Sequence, residues 1–201
     1  MAKLDRSFYL NDTAKVARQL LGKLLVREED GKRISGIIVE TEAYLGLSDR
    51  AAHSFGGRKT RRNEAMYGNG GYAYVYFLYG KYFCLNAVTG TAGVPEAVLI
   101  RALEPLEGLD FMAEERYNTE YAKLSSRQRA NLLNGPGKLC MALSIDKSLN
   151  GEDLCGGRLY IEDRPGTPAV CSGKRIGIDY AGEDRDLPLR FFIKNNKHVS
   201  K

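Results

Sequence analysis

The sequence holds only two histidines, His53 and His198, and four cysteines, Cys84, Cys140, Cys155 and Cys171, with no Cys-x-x-Cys pair among them. That scarcity argues against a metal centre, which needs clustered imidazole, thiolate or carboxylate ligands, and against a redox dithiol. Free thiols in a reducing compartment are the default reading. Long apolar runs are lacking too. None could span a bilayer, and the opening MAKLDRSFYLND has no apolar signal-peptide core. Gly68-Asn69-Gly70-Gly71 and Ser172-Gly173-Lys174 fit neither the dinucleotide fingerprint nor the phosphate-loop pattern, so no nucleotide cofactor is expected. No Gly-x-Ser-x-Gly elbow occurs, and no cysteine has an obvious histidine partner. The chain reads as a soluble cytoplasmic protein (nucleoid-associated in a bacterium), without metal, cofactor or membrane partner, and a monomer.

What is present suits one ordinary domain over residues 1–201. The chain is 43% hydrophobic and 27% charged, enough to bury a real core without suggesting disorder. Its net charge of +5 favours a polyanionic partner. The surplus is concentrated in Arg58-Lys59-Thr60-Arg61-Arg62, in Arg127 with Arg129, and in Lys194, Lys197 and Lys201.

A tyrosine run stands out. In GYAYVYFLYGKYFCLNAV, Tyr72, Tyr74 and Tyr76 alternate with Ala73, Val75 and Phe77, the period of a two-faced strand. The pattern breaks at Tyr79-Gly80-Lys81 and resumes at Tyr82, which predicts a protruding hairpin turning at Gly80. Tyr79 then sits on the turn beside Lys81, suited to stacking on a nucleobase near phosphate; half-buried packing is the alternative use of such rings.

Elsewhere Asn11-Asp12 can cap a helix through Val16, Leu20 and Leu21 that ends at Gly22. Lys23–Arg27 and Gly36–Tyr44 read as strands around a turn at Asp30-Gly31, and Pro95–Leu103 as a strand closed by Glu104-Pro105. Helices are expected over Leu106–Arg116, Ser126–Leu133 and Pro136–Ser144, and a last strand over Leu189–Ile193. Without regular alternation of strand and helix, the expected class is α+β, a single mixed domain with a largely antiparallel sheet and surrounding helices.

Chemistry concentrates in Val39-Glu40-Thr41-Glu42-Ala43-Tyr44. A regular strand puts Glu40, Glu42 and Tyr44 on one face, and carboxylates ending an apolar strand need partners or a role such as general-base catalysis. Alternation does not choose between Glu40 and Glu42. Arg101, flanked only by apolar residues, is the natural partner, as a structural ion pair or in catalysis. His53 precedes two glycines and the basic cluster, where Arg58, Arg61 and Arg62 can meet phosphates.

Taken in order, Val39-Glu40-Thr41-Glu42-Ala43-Tyr44-Leu45-Gly46, Ala51-Ala52-His53-Ser54, Arg62-Asn63, Tyr74-Val75-Tyr76, Tyr79-Gly80, Tyr82-Phe83-Cys84, Leu103-Glu104-Pro105-Leu106-Glu107-Gly108, Gly135-Pro136, Lys138-Leu139-Cys140, Arg175-Ile176-Gly177 and Pro188-Leu189-Arg190-Phe191 closely resemble the alkyladenine DNA glycosylases, the family of 3-methyladenine DNA glycosylases of the AAG/MPG type. The resemblance spans nearly the whole chain. It implies excision of alkylated and deaminated purines from double-stranded DNA, with Glu42 as general base and Arg101 helping to hold its water and the flipped nucleotide. By the same resemblance, Tyr44, His53 and Tyr76 sandwich the extruded base, Asn86 disfavours normal guanine, and Ala51, Leu99 and Ile176 line the pocket. Tyr79 is the implied wedge; Arg58, Arg62 and Lys138 are candidate DNA contacts, and Lys81 beside the wedge is a candidate phosphate contact particular to this chain. No lysine stands in the catalytic motif, so no Schiff base and no strand cutting are expected. Lys81 and His198 depart from the family pattern. A non-catalytic nucleic-acid module and a small-nucleoside hydrolase are the other two classes compatible with these residues.

Overall fold

The chain folds around one curled antiparallel sheet, seen in a computed structural model that describes residues 1–78 and 80–200. Two short helices come first, α1 (Arg6–Tyr9) and α2 (Thr13–Gln19). Asp12 caps α2 through its carboxylate, which accepts from the Lys15 amide at 2.8 Å. Strands β1 (Leu24–Glu29) and β2 (Lys32–Tyr44) follow as a hairpin. Its two-residue turn has both Asp30 and Gly31 at positive φ, 47° and 72°, the backbone a tight hairpin of right-handed twist demands.

After a long connection through residues 45–72 come β3 (Ala73–Leu78), β4 (Tyr82–Thr89) and β5 (Glu96–Glu107). Helices α3 (Leu109–Tyr117), α4 (Ser126–Ala130) and α5 (Pro136–Ala142) precede β6 (Leu159–Glu162), β7 (Val170–Gly173) and β8 (Arg190–Ile193). The sheet runs β3-β4-β5-β2-β1-β6, and β7 and β8 pair beside the far half of β2. All of these pairings are antiparallel, as the α+β reading expected. The β3–β4 hairpin is present, with Gly80 at φ 65° in its connection; Tyr79 lies outside the described residues.

Strand alternation splits the sheet into two working faces. Ile38, Ala43, Val75, Leu85, Val98, Ile100 and Leu103 pack with α2, α3 and α5 in the main core. Tyr44, Tyr74, Tyr76, Val88 and Ala97 belong to smaller clusters on the opposite face, with Ala51, Met66, Ile178 and Ala181 from the connections that cover it. Those connections, rather than the helices, roof the polar end of β2.

One expectation needs correction. Glu104-Pro105 does not close β5, which continues to Glu107. Pro105 pairs with Gly36 beside a register shift between Ser35 and Gly36, and at such an irregularity a residue without an N–H is tolerated. A second pair of shifts matters more. Ile38 faces Leu103 and Glu40 faces Ala102, but Thr41 faces Ile100, so Arg101 is the extra residue of a bulge opposite the Glu40–Thr41 step. Bulges of this kind re-aim a side chain.

Candidate active site

Glu40 and Glu42 are both fully buried, and Arg101 joins them. Arg101 Nε donates to Glu40 Oε1 and its Nη1 meets Glu42 Oε1, each at 3.3 Å. The guanidinium forks between the carboxylates because the bulge sets it there.

The two carboxylates differ in their remaining partners. Glu40 also accepts from Arg190 Nε at 2.7 Å, from the Ser200 amide at 2.7 Å and from Ser200 Oγ at 2.9 Å. With Arg101 that makes four donors, three of them on Oε1 and one, the Ser200 amide, on Oε2. Glu42 accepts from the Tyr44 hydroxyl at 2.9 Å and the Ile176 amide at 2.8 Å. With Arg101 that makes three, which leaves about one acceptor direction open. Burial pushes the Glu42 carboxyl above its ordinary range and Glu40 adds to this; Arg101, the Ile176 amide and the Tyr44 hydroxyl pull it back. Burial works against the Arg101 charge, but Glu42 and Glu40 outweigh it and hold the guanidinium firmly protonated.

Beside this pair is a cavity of about 40 Å³ walled by Tyr44, Ala51, His53, Met66, Tyr74, Tyr76, Asn86, Ala97 and Tyr180. Glu42 reaches its edge only through the Tyr44 hydroxyl. The space holds about three waters. His53 and Tyr76 meet edge to face, ring centroids 4.6 Å apart at 81°. His53 Nδ1 lies 2.8 Å from the Tyr74 hydroxyl. Burial, reinforced by Arg62 and Arg58, pushes the imidazole down to about 4, so it is neutral at neutral pH. Burial likewise raises the Tyr44, Tyr74 and Tyr76 hydroxyls, which remain protonated donors. Asn86 Nδ2 donates to the Tyr74 carbonyl at 3.0 Å, tying β4 to the wall residue of β3.

Of the residues expected in the pocket, Tyr44, Ala51, His53, Tyr76 and Asn86 line one cavity. Leu99 and Ile176 are not among its lining. Leu99 is buried under it, paired with Glu42 across β2 and β5. Ile176 is exposed and contributes its backbone amide rather than its side chain. Arg58 and Arg62 are exposed on the covering connection. The Arg58 carbonyl accepts from Asn63 and Tyr67, whereas Arg62 donates to the Phe77 carbonyl at 2.9 Å and stacks on Tyr76 at 5.2 Å. Lys81 is exposed on the hairpin with its ammonium 5.4 Å from the Tyr82 ring. Lys138 lies on α5, which packs against β4, and donates to Asn131 and Asn134 at 3.1 and 2.8 Å; burial and the nearby Arg116 lower its pKa.

Several partners went unread in the sequence. Arg175 grips Asp49 in two hydrogen bonds, 2.5 and 2.9 Å, with both side chains almost wholly buried. It also donates to the Ala43 carbonyl and stacks on Tyr44 at 4.9 Å. Asp49 in turn accepts from the Leu45 and Ala51 amides. This clamp fixes Tyr44 from below and sets the Ile176 amide, next in chain to Arg175, on Glu42. A bidentate arginine–carboxylate pair has the geometric rigidity for that task.

The family model for methylpurine-DNA glycosylase matches residues 7–197. The chain belongs to this family. Among similar proteins, one of Desulfitobacterium hafniense is 53% identical over 201 residues, covering all of this chain and 99% of the relative. One of Clostridium novyi is 52% identical over the full length of both chains. One of Clostridium botulinum is 50% identical over 98% of each. All three carry the name "Putative 3-methyladenine DNA glycosylase". Among the described residues no helix is long and apolar enough to cross a membrane, and no cluster of potential ligands could hold a metal ion.

Proposed function

We propose that this methylpurine-DNA glycosylase family member removes alkylated or deaminated purines from duplex DNA, with Glu42 activating the water that displaces the base and leaves an abasic site. The observation that carries the reading is the contrast between the two buried glutamates. Glu40 is tied by four donors to Arg101, Arg190 and Ser200, none of which lines the cavity, whereas Glu42 is hydrogen-bonded to a cavity-wall tyrosine through an oxygen that accepts from that hydroxyl alone. Burial raises the Glu42 pKa towards that of a useful base at neutral pH, and Arg101 opposes the rise by favouring the charged carboxylate.

A base inside a duplex hides its glycosidic bond, so the nucleotide must swing out at a cost of a few kcal/mol. Tyr79 is the proposed wedge that fills the gap, and stacking at about 1–3 kcal/mol per base offsets part of that cost. Tyr44 takes one face of the extruded base, and His53 with Tyr76 takes the other. Alkylated purines are cationic and favour the electron-rich tyrosine faces. Their charge also makes them good leaving groups. Water loses its proton to Glu42 as its oxygen bonds the sugar carbon, and the electrons of the broken C–N bond leave with the base through an oxocarbenium-like transition state. Asn86 is the proposed check against the exocyclic amine of guanine. The cavity lining includes no lysine, consistent with hydrolysis alone and no strand cutting. Arg58, Arg62, Lys81 and Lys138 are the proposed phosphate contacts, and a single chain suffices.

The test is base release from duplex oligonucleotides, each holding one 7-methylguanine, hypoxanthine or ethenoadenine, against an undamaged control. Release from a lesion duplex with affinity falling steeply as salt rises is expected, through counterion release. Turnover of free nucleosides with a flat salt response contradicts the reading.

A further inference from the structure

Glu40 takes four hydrogen bonds within the site, yet the reaction as proposed gives it no chemical step. Every group that faces it comes from a different part of the fold. Arg101 approaches from β5, Arg190 from β8, Ser200 from the C-terminal segment, and Glu42 lies two residues along β2. Its carboxylate has no solvent exposure, so those donors alone carry its charge. Arg101 is the one group that touches both glutamates, and Glu40 holds its Nε while Nη1 is left for Glu42.

We propose that Glu40 is a positioning residue for the Glu42–Arg101 pair, and that the C-terminal segment, through Ser200, is part of the catalytic scaffold. The inference rests on the reading of Glu42 as general base. Glu40 acts in two ways. It divides the guanidinium, so Arg101 cannot turn both arms onto Glu42 and occupy its last acceptor direction. Its own negative charge also keeps Glu42 more basic than Arg101 alone would leave it. Ser200 fixes the Glu40 carboxylate through one backbone and one hydroxyl donor, 160 residues away in sequence. His198, two residues before it, is buried, and its amide donates to Asn196 Oδ1 at 2.8 Å.

The experiment is single-turnover base release from a duplex with one hypoxanthine, enzyme in excess, measured across pH together with duplex affinity. Glu40→Gln removes the charge, so Glu42 becomes less basic and more tightly held by Arg101. The acid limb of the rate then moves to lower pH while the plateau falls about tenfold or more, with affinity within about twofold. A chain ending at Val199 keeps the Glu40 charge but loses both Ser200 donors, and its plateau falls in the same sense with affinity retained. If Glu40→Gln does not melt cooperatively, the truncated chain decides. Wild-type plateau and pH profile in the truncated chain and in a folded Glu40→Gln would overturn the inference while leaving the glycosylase reading intact. No release by the wild type from any lesion duplex overturns that reading, and the inference with it.

Discussion

The Tyr44 hydroxyl donates to Glu42 Oε2 at 2.9 Å, so one ring both walls the cavity and touches the buried carboxylate. Under the proposed mechanism, base recognition and water activation are joined through that single side chain. Arg175 stacks beneath that ring, and its neighbour Ile176 donates to the other Glu42 oxygen.

Tyr44→Phe keeps the ring and deletes the hydrogen bond. That bond lowers the Glu42 pKa, so its loss raises it, and the acid limb of the base-release rate moves to higher pH. The plateau rate falls by about tenfold or more, the scale of a hydrogen bond to a charged group. Lesion-duplex affinity changes little, because the stacking surface remains. Rate and affinity measured across pH on one lesion duplex check both halves.

Arg101→Gln leaves two buried carboxylates without their shared cation. Breaking such a pair costs about 3–5 kcal/mol, so denaturant unfolding should show a clear loss of stability. The surviving activity has its acid limb displaced upward, since the charge that favours ionised Glu42 is gone. The loss should ease in acid, where the carboxyls are protonated and no longer repel each other.

His53 and His198 are the only imidazoles, which makes their titration simple to follow by NMR. His53 is expected to titrate near 4, below its ordinary 6.5. Its folded pKa lies below the unfolded value, so the unfolded chain takes up the proton first. Stability is therefore lost as pH falls from about 6.5 towards 4, and His53→Asn flattens that part of the stability profile. A His53 midpoint at 6.5 would mean an open, solvated ring.

Much of this fold was legible because period-two patterning survives wherever a strand has unlike faces. The β3–β4 hairpin, the β1–β2 turn and the helix capped by Asp12 all followed from local chemistry. Helix α1 did not, since four residues carry no periodicity. Proline misled at Glu104-Pro105, where a register shift spares the missing N–H. Within the site, local motifs brought Glu42, Tyr44, His53 and Arg101 to notice. The partners that hold them were illegible for the opposite reason. Asp49 meets Arg175 across 126 residues and Arg190 meets Glu40 across 150, and a charged residue in a sequence does not announce its distant mate. Alternation put Glu40 and Glu42 on one face but could not rank them. Their partners differ, since Glu42 alone is bonded to a cavity-wall tyrosine, and the proposed choice of Glu42 rests on that.

The central claim is that Glu42 is the base that activates water, and Glu42→Gln tests it most directly. The amide fills the same space: its oxygen can still accept from the Ile176 amide, its NH2 can donate to the Tyr44 oxygen, and Arg101 keeps Glu40 as its partner. Measured by single-turnover release from a lesion duplex, the rate should fall by about 10²–10⁴-fold, with duplex affinity and melting temperature close to wild type. Base release at the wild-type rate by folded, DNA-binding Glu42→Gln protein would contradict it.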